Sequence, residues 1–117
     1  MSFSLTDIKT FSSIFDNIKQ YCDVFKMHID NEGLHIQAID NANICILDSN
    51  ISKNYFNTYT IDKTYNLDFD IIDITKVFKV THKTRLVTFS IYDECNLKIN
   101  IESFDNNIKK IFKITSI

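Results

Sequence analysis

The chain has 117 residues, of which 44% are hydrophobic and 24% are charged, enough for one domain with its own core. Its net charge of -2 excludes a uniformly basic nucleic-acid binder, so any affinity for phosphate must come from locally grouped lysines. A single glycine and the lack of proline exclude a glycine-rich phosphate loop and a G-x-S-x-G nucleophile elbow.

The chain begins with a predicted short strand and an amphipathic helix. Ser2–Leu5 has the pattern of a strand, and either Thr6 or Asp7 can cap the helix that follows. The apolar side chains of this helix recur at three- and four-residue steps, at Ile8, Phe11, Ile14, Phe15 and Ile18. That spacing gives one apolar stripe, so we expect this face to pack against the core.

A hairpin follows the first helix. Residues 23–29 and 34–39 alternate between apolar and polar side chains around a turn at residues 30–33. Gly33 can supply the positive φ that such a turn needs.

Two further strands complete the first half of the chain. One is predicted at residues 43–51, and a short one at residues 59–61 follows a polar loop. The inward-facing side chains of the longer strand are expected to be Ile44, Ile46 and Leu47.

The second half of the chain predicts the same kinds of element. Residues 64–69 form a strand, and Asp70 with Asp73 three residues later resembles a capping box at the start of a helix that ends near Thr81. The remaining strands are predicted at residues 85–92, 96–102 and 108–116, with a hairpin turn at residues 93–95. Two helices and about nine strands make an α+β fold.

An internal duplication explains this repetition. Residues 23–29 read DVFKMHI and residues 85–91 read RLVTFSI, which overlay at an offset of about sixty residues. The repeated unit is a β-α-β-β-β arrangement, so the duplication predicts two matching helices on one face of an antiparallel sheet.

The second helix separates its apolar and basic residues. At 100° per residue, the side facing the core comprises Ile71, Ile74, Val77, Phe78 and Thr81. Lys76, Lys79 and Lys83 fall together on the opposite side, and the wheel of this helix places no acid within their stripe. The polar side of the first helix comprises Lys9, Ser12, Ser13, Asp16 and Gln20, with Lys19 at its edge.

These lysines have two interpretations. They form either an ordinary solvated face or a surface that contacts phosphates without reading bases, because a flexible point charge carries no base code. Three lysines alone bind DNA weakly, so the second interpretation requires several copies of the domain around the same DNA.

The candidate sites for catalysis or metal binding are weak. His28, His35 and His82 lack metal-ligand spacing, and acids such as Asp68 and Asp70 are explained by solvation or capping. We therefore expect no enzyme activity, no metal and no cofactor.

The spacing of the cysteines and the hydropathy of the chain indicate the compartment in which the protein acts. Cys22, Cys45 and Cys95 are odd in number and widely spaced, which favours reduced, packed thiols in an intracellular protein. No run of about 18 apolar residues and no secretion signal are seen, so we expect neither a membrane span nor secretion.

The final strand is β-prone and contains the run Lys109, Lys110, Ile111, Phe112, Lys113 and Ile114. It is a candidate sheet edge. Its lysines either prevent edge-to-edge association, or the strand pairs with another subunit.

Several collinear segments resemble one known family. They are FSSIFDNIK at residues 11–19, GLHIQAID at 33–40, FNTY at 56–59 and ITKVFK at 74–79. Together they resemble the N-terminal domain of the sliding clamp family, proliferating cell nuclear antigen, across essentially the whole chain. The resemblance implies a DNA-clamp fold and a ring around duplex DNA with helices inside and sheets outside.

The resemblance also implies which residues act. By position, Lys19, Lys76 and Lys79 match DNA-facing lysines of the family, whereas Lys83 is included from the helical wheel alone. Part of a groove for partner peptides corresponds to Asp40, Asn43, Ile44 and Ile46. The strand that pairs with a neighbouring subunit corresponds to residues 109–114. Ser12 and Ser13 stand where family members often have lysines, which weakens the expected contact from the first helix.

The implied partners are duplex DNA without sequence preference, DNA polymerase, other clamp-binding peptides, a clamp loader and further clamp domains. The implied role is a processivity factor in the nucleus, or at a cytoplasmic replication site if the protein is viral. The alternative is a clamp-like scaffold subunit of transcription or checkpoint type. Family subunits have two such domains, so the chain is expected to be an isolated N-terminal domain or a single-domain clamp that closes with more copies.

Overall fold

Two α-helices and nine β-strands follow one another in the predicted order along the described residues. The structure is a computed structural model and describes residues 1–40, 42, 44, 46–81, 86–92, 98–105 and 108–117. The helices are α1 (Ile8–Lys19) and α2 (Ile71–Thr81). The strands are β1 (Ser2–Leu5), β2 (Val24–Ile29), β3 (Gly33–Ile39), β4 (Ile46–Ser52), β5 (Thr58–Thr60), β6 (Tyr65–Asp70), β7 (Leu86–Tyr92), β8 (Lys98–Asp105) and β9 (Ile108–Thr115).

The strands divide between two antiparallel sheets, where the sequence led us to expect one. The five-stranded sheet has the order β5-β1-β7-β8-β9, and the four-stranded sheet has the order β4-β3-β2-β6. The first strand of each half therefore joins the sheet of the other half. Hydrophobic periodicity indicates which face of a strand is buried but not which strand lies beside it, so this exchange was not predictable.

The exchange is reciprocal between the two halves of the chain. In one sheet Phe3 of β1 pairs with Phe89 of β7. In the other sheet Leu67 of β6 pairs with Met27 of β2, the residue that overlays Phe89 in the duplicated unit. The α+β fold with a duplicated unit is thus confirmed.

The hydrophobic core lies between the sheets and the helix pair and is rich in phenylalanine. Its largest fully buried side chains include Phe3, Phe11, Phe15, Phe25, Phe69 and Phe89. All predicted apolar positions of α1 are buried except Ile14, which is partly buried and packs against the core. On α2 the predicted inward face is buried. Thr75 is buried as well, and its hydroxyl donates a hydrogen bond to the Ile71 carbonyl at 2.9 Å.

The two helices begin differently. Asp7, one of the two predicted candidates, caps α1, because its side chain accepts the Thr10 N–H at 3.3 Å. In contrast α2 follows β6 without a linker, and the Ile71 N–H donates to the Asp23 carbonyl at 2.9 Å. The start of α2 is therefore tied to the residue that precedes β2.

Gly33 begins β3 and has a φ of +151°, as a turn glycine was predicted to have. The structure adds a second reason for glycine. A β-carbon built on Gly33 would lie 2.1 Å from the Ile51 carbonyl oxygen of the neighbouring strand. The hairpin and β4 therefore approach each other so closely at this position that only glycine fits.

The orientation predicted for the third strand was partly wrong. Ile44 precedes β4 and is 85% exposed, and Ile46 begins the strand and is 60% exposed. Leu47 and Ile51 instead pack against the core. Because side chains alternate along a strand, Ile46 cannot share the inward face with Leu47.

Cys22 is buried, in agreement with the expectation of packed cysteines. Cys45, Cys95 and the second hairpin turn at residues 93–95 lie outside the described residues. Neither helix in the described part of the chain is long and apolar enough to cross a membrane.

Candidate nucleic-acid interface

The candidate interface is the outer side of the helix pair, and three phenylalanines fix its position. Phe78 of α2 stacks on Phe15 of α1 with ring centroids 5.3 Å apart. It also meets Phe11 edge to face at 5.8 Å. Since these side chains point into the core, the opposite sides of both helices face solvent together.

The predicted lysines lie on this solvent-facing side where the structure describes them. Lys19 is exposed in the last turn of α1. Lys76 and Lys79 are exposed on α2, one turn apart. Lys83 lies outside the described residues. The fold thus brings lysines from both helices to one side of the molecule.

Acids accompany these lysines more closely than the helical wheel of α2 indicated. Asp16 of α1 and Lys79 of α2 line the same cleft between the helices. Asp73 is exposed three residues before Lys76, and both line a second cleft beside β9. The wheel of α2 alone therefore describes only part of this surface. A wheel of one helix does not include the neighbouring helix, and here the neighbour contributes Asp16.

The two serines of α1 are engaged by their own helix. The Ser12 hydroxyl donates to the Lys9 carbonyl at 3.0 Å, and the Ser13 hydroxyl donates to the Thr10 carbonyl at 2.6 Å. In these bonds both hydroxyl groups donate their hydrogens to backbone carbonyls of the same helix. The contribution of α1 to phosphate binding therefore depends mainly on its lysines.

This arrangement suits loose contact with a polyanion. Lysine ammonium groups act as point charges that position a duplex without reading its bases. Asp16 and Asp73 reduce the net positive charge of the surface and so reduce its attraction for phosphate.

The second predicted site is the groove for partner peptides, and its described residues include exposed apolar side chains. The Asp40 carboxylate accepts the Ile44 N–H at 2.7 Å. Ile39 is 50% exposed and pairs in register with Ile46, so it extends the exposed surface of Ile44 and Ile46. Asn43 lies outside the described residues.

The third predicted site is the edge strand β9. Within the described residues it pairs with β8 and with no other strand. The exposed members of the predicted set are Lys109, Lys110, Ile111 and Lys113. Phe112 is half-buried, and Ile114 belongs to the core. Lys109 forms an ion pair with Glu102 of β8 at 3.5 Å.

Sequence reasoning missed two members of these surfaces. Ile39 was assigned to the hairpin, but its register with Ile46 places it in the exposed patch. Asp16 was counted on the first helix alone, although it lines the same cleft as Lys79. In each case the missing information was the neighbouring element, which hydrophobic spacing within one segment does not reveal.

Comparison with known proteins agrees with this geometry. The family model for proliferating cell nuclear antigen, N-terminal domain, matches residues 2–117. The chain belongs to this family.

Its curated relatives in the family include clamps from archaea and a parasite. DNA polymerase sliding clamp 3 of Sulfurisphaera tokodaii is 24% identical over 102 residues, covering 87% of this chain and 42% of the relative. The sliding clamp of Archaeoglobus fulgidus is 33% identical over 89 residues, covering 74% and 35%. Proliferating cell nuclear antigen 2 of Plasmodium falciparum is 26% identical over 100 residues, covering 85% and 38%.

Solved structures share the clamp fold. A chain in the PCNA2–PCNA3 complex of Sulfolobus tokodaii has a TM-score of 0.87 and 25% identity, covering 100% of this chain and 46% of that one. PCNA of Thermococcus kodakaraensis has a TM-score of 0.88 at 18% identity, covering 99% and 46%, which supports the fold alone. The present chain spans less than half the length of these relatives.

Proposed function

We propose that this chain is the N-terminal clamp domain of a DNA polymerase processivity factor. In the assembled ring, the solvent-facing side of α1 and α2 faces duplex DNA. The observation that carries this proposal is the joint exposure of Lys19, Lys76 and Lys79 on one side of a clamp-fold domain. Family membership supports the same role.

The proposed mechanism is confinement rather than catalysis. A closed ring keeps a polymerase on DNA without needing tight binding, because the duplex cannot leave sideways. Weak phosphate contacts then allow movement along any sequence. The acids beside Lys76 and Lys79 keep these contacts weak.

Ring closure requires further clamp domains, which the edge strand β9 is suited to contact. A strand paired on one side offers backbone hydrogen-bonding groups to another strand. Exposed Ile111 lies within this strand and Val80 of α2 lines the cleft beside it, so apolar surface accompanies the free edge. The mass in solution tests the assembly: about six copies indicate a self-sufficient ring, whereas a monomer indicates a domain that needs a second one.

The outer partners are proposed to be short peptides of the polymerase, the clamp loader and repair proteins. The patch formed by Ile39, Ile44 and Ile46 offers them an apolar contact. The corresponding site of action is the nucleus, or a cytoplasmic replication site for a viral protein.

The experiment that tests DNA contact is a titration of the labelled chain with duplex DNA at low salt, followed by nuclear magnetic resonance. We expect the amide shifts to change along α1 and α2, around Lys19, Lys76 and Lys79. Lys26 provides an internal control, because it is exposed on β2 between the buried residues Phe25 and Met27 and so faces away from the core. Changes centred on Lys26 instead of the helices would contradict the proposal.

A clamp-like scaffold without its own DNA-sliding role is the second candidate. The proximity of Asp16 to Lys79 and of Asp73 to Lys76 favours it, because these carboxylates repel phosphate. In that case the same titration would leave the helix amides unchanged.

A further inference from the structure

The edge strand β9 is packed against the core only near its end. Of its eight residues six are exposed, Phe112 is half-buried and Ile114 is buried. Ile114 lines an apolar gap in the core together with Phe69 of β6 and Ile74 of α2. Within the described residues the only strand paired with β9 is β8. Most of the length of β9 is therefore held by backbone pairing on one side alone.

The two residues that follow β9 join it to the other sheet. Asp68 lies in β6, an edge strand of the four-stranded sheet. The Asp68 N–H donates to Ser116 Oγ at 3.1 Å, and the Ser116 hydroxyl donates to the Asp68 carbonyl at 3.2 Å. The same carbonyl accepts the Ile117 N–H at 2.7 Å. Three hydrogen bonds thus connect the chain beyond β9 to one residue of β6.

The Ser116 side chain takes the place of a strand partner for Asp68. In an antiparallel ladder, residues of a hydrogen-bonded pair exchange both N–H···O bonds. A hydroxyl can do the same, because it has one hydrogen to donate and lone pairs to accept. The Asp68 backbone is therefore satisfied, although β6 has no second neighbouring strand within the described residues. Alanine at position 116 could neither donate nor accept here, whereas threonine retains the hydroxyl.

We propose that Ser116 is a positioning residue that holds β9 ready to pair with a neighbouring clamp domain. This inference rests on the proposed role of β9 in ring closure. A binding segment that is already ordered loses less conformational freedom on association, so it binds more tightly. The effect of Ser116 is indirect, since its hydroxyl is bonded to Asp68 of the same chain.

Hydrogen exchange followed by nuclear magnetic resonance tests whether the hydroxyl holds the strand. We expect Ser116→Ala to speed exchange of the Asp68 amide and of the β9 amides by about two- to tenfold, the range that one hydrogen bond supplies. Ser116→Thr should exchange like the wild type. Ser90→Ala is the matched control, because it removes the hydroxyl of another half-buried serine from the same sheet, on β7.

Sedimentation of the assembled clamp that contains this domain tests whether this hold matters for assembly. Ser116→Ala should raise the dissociation constant about two- to tenfold, and Ser116→Thr should restore it. Ile111→Glu changes a side chain of β9 that is 53% exposed. It should weaken assembly through the contact itself and leave the exchange of the Asp68 amide unchanged.

The outcomes separate this inference from the proposed role of β9. Unchanged exchange in Ser116→Ala, or faster exchange with an unchanged dissociation constant, would overturn the role of Ser116. Assembly that survives Ile111→Glu would instead contradict the contact of β9 with a neighbour. Circular dichroism verifies that each variant folds. If Ser116→Ala does not, the comparison of Ser116→Thr with Ser116→Val decides, because these two side chains have the same shape and differ in the hydroxyl.

Discussion

Phe15 and Phe78 stack with ring centroids 5.3 Å apart and an interplanar angle of 27°, joining α1 to α2. Phe78 is 4% exposed and also contacts Phe89 of β7 at a centroid distance of 6.4 Å. One side chain thus connects both helices to the five-stranded sheet. It also fixes which sides of the helices, and therefore which lysines, face outward.

Replacing this side chain should destabilise the fold severely. We expect Phe78→Ala to lower the free energy of unfolding by about 3–5 kcal/mol, because it removes a buried ring and leaves a cavity. Ile72→Ala is the matched control on the same helix, since Ile72 is 51% exposed, and it should change the free energy by about 0.5 kcal/mol or less. Urea denaturation measures both. Equal losses in the two variants would show that the stacked contact is unimportant.

Gly33 should tolerate no side chain. A β-carbon there would collide with the Ile51 carbonyl oxygen, and the φ of +151° is unfavourable for other residues. We expect Gly33→Ala to cost at least about 1–3 kcal/mol of unfolding free energy. The neighbouring exposed position provides a control, Glu32→Ala, which retains its backbone N–H. The same midpoint of thermal unfolding for both variants would contradict the close approach of β3 and β4.

The element order was predictable from the sequence because periodicity records which face of each element is buried. Phe11, Phe15 and Phe78 were assigned inward for this reason, and all three are buried. The exchange of β1 and β6 between the sheets was not predictable, because it depends on pairing between strands far apart in the chain, such as Phe3 of β1 with Phe89 of β7. The same limit applies to the sites: lysine exposure followed from the wheels, but the acid beside Lys79 comes from another helix.

The cap of α1 should make stability depend on pH. Hydrogen bonds from Thr10, and with a smaller effect from Tyr55, lower the pKa of the Asp7 carboxyl. A carboxyl with a lowered pKa in the folded state stabilises that state above its usual pKa, and this contribution is lost as the pH falls through the lowered value.

We therefore expect the stability difference between the wild type and Asp7→Asn to be present at neutral pH and to vanish in acid. Denaturant titrations at a series of pH values measure it. Asp16→Asn, a substitution of an exposed acid later in the same helix, is the control. A wild-type advantage over Asp7→Asn that persisted undiminished in strong acid would exclude the charged cap as its source.

Charge reversal of the helix lysines tests the proposed DNA contact. Lys76→Glu with Lys79→Glu should weaken binding of duplex DNA and lower the salt dependence of the binding constant by about 0.9 per lost phosphate contact. Lys26→Glu makes the same charge change on the outer face of β2 and should have a much smaller effect. Fluorescence anisotropy over a range of salt concentrations measures both slopes. Equal slopes for wild type and double variant would favour the scaffold function.

Retention on DNA of the assembled clamp that contains this domain tests the central claim most directly. The protein is allowed to thread onto duplex DNA anchored at one end, the free end is then capped, and the DNA is washed at high salt. An encircling clamp should stay on capped DNA and leave uncapped DNA, because its hold is topological and not electrostatic. Equal loss from capped and uncapped DNA would contradict the account.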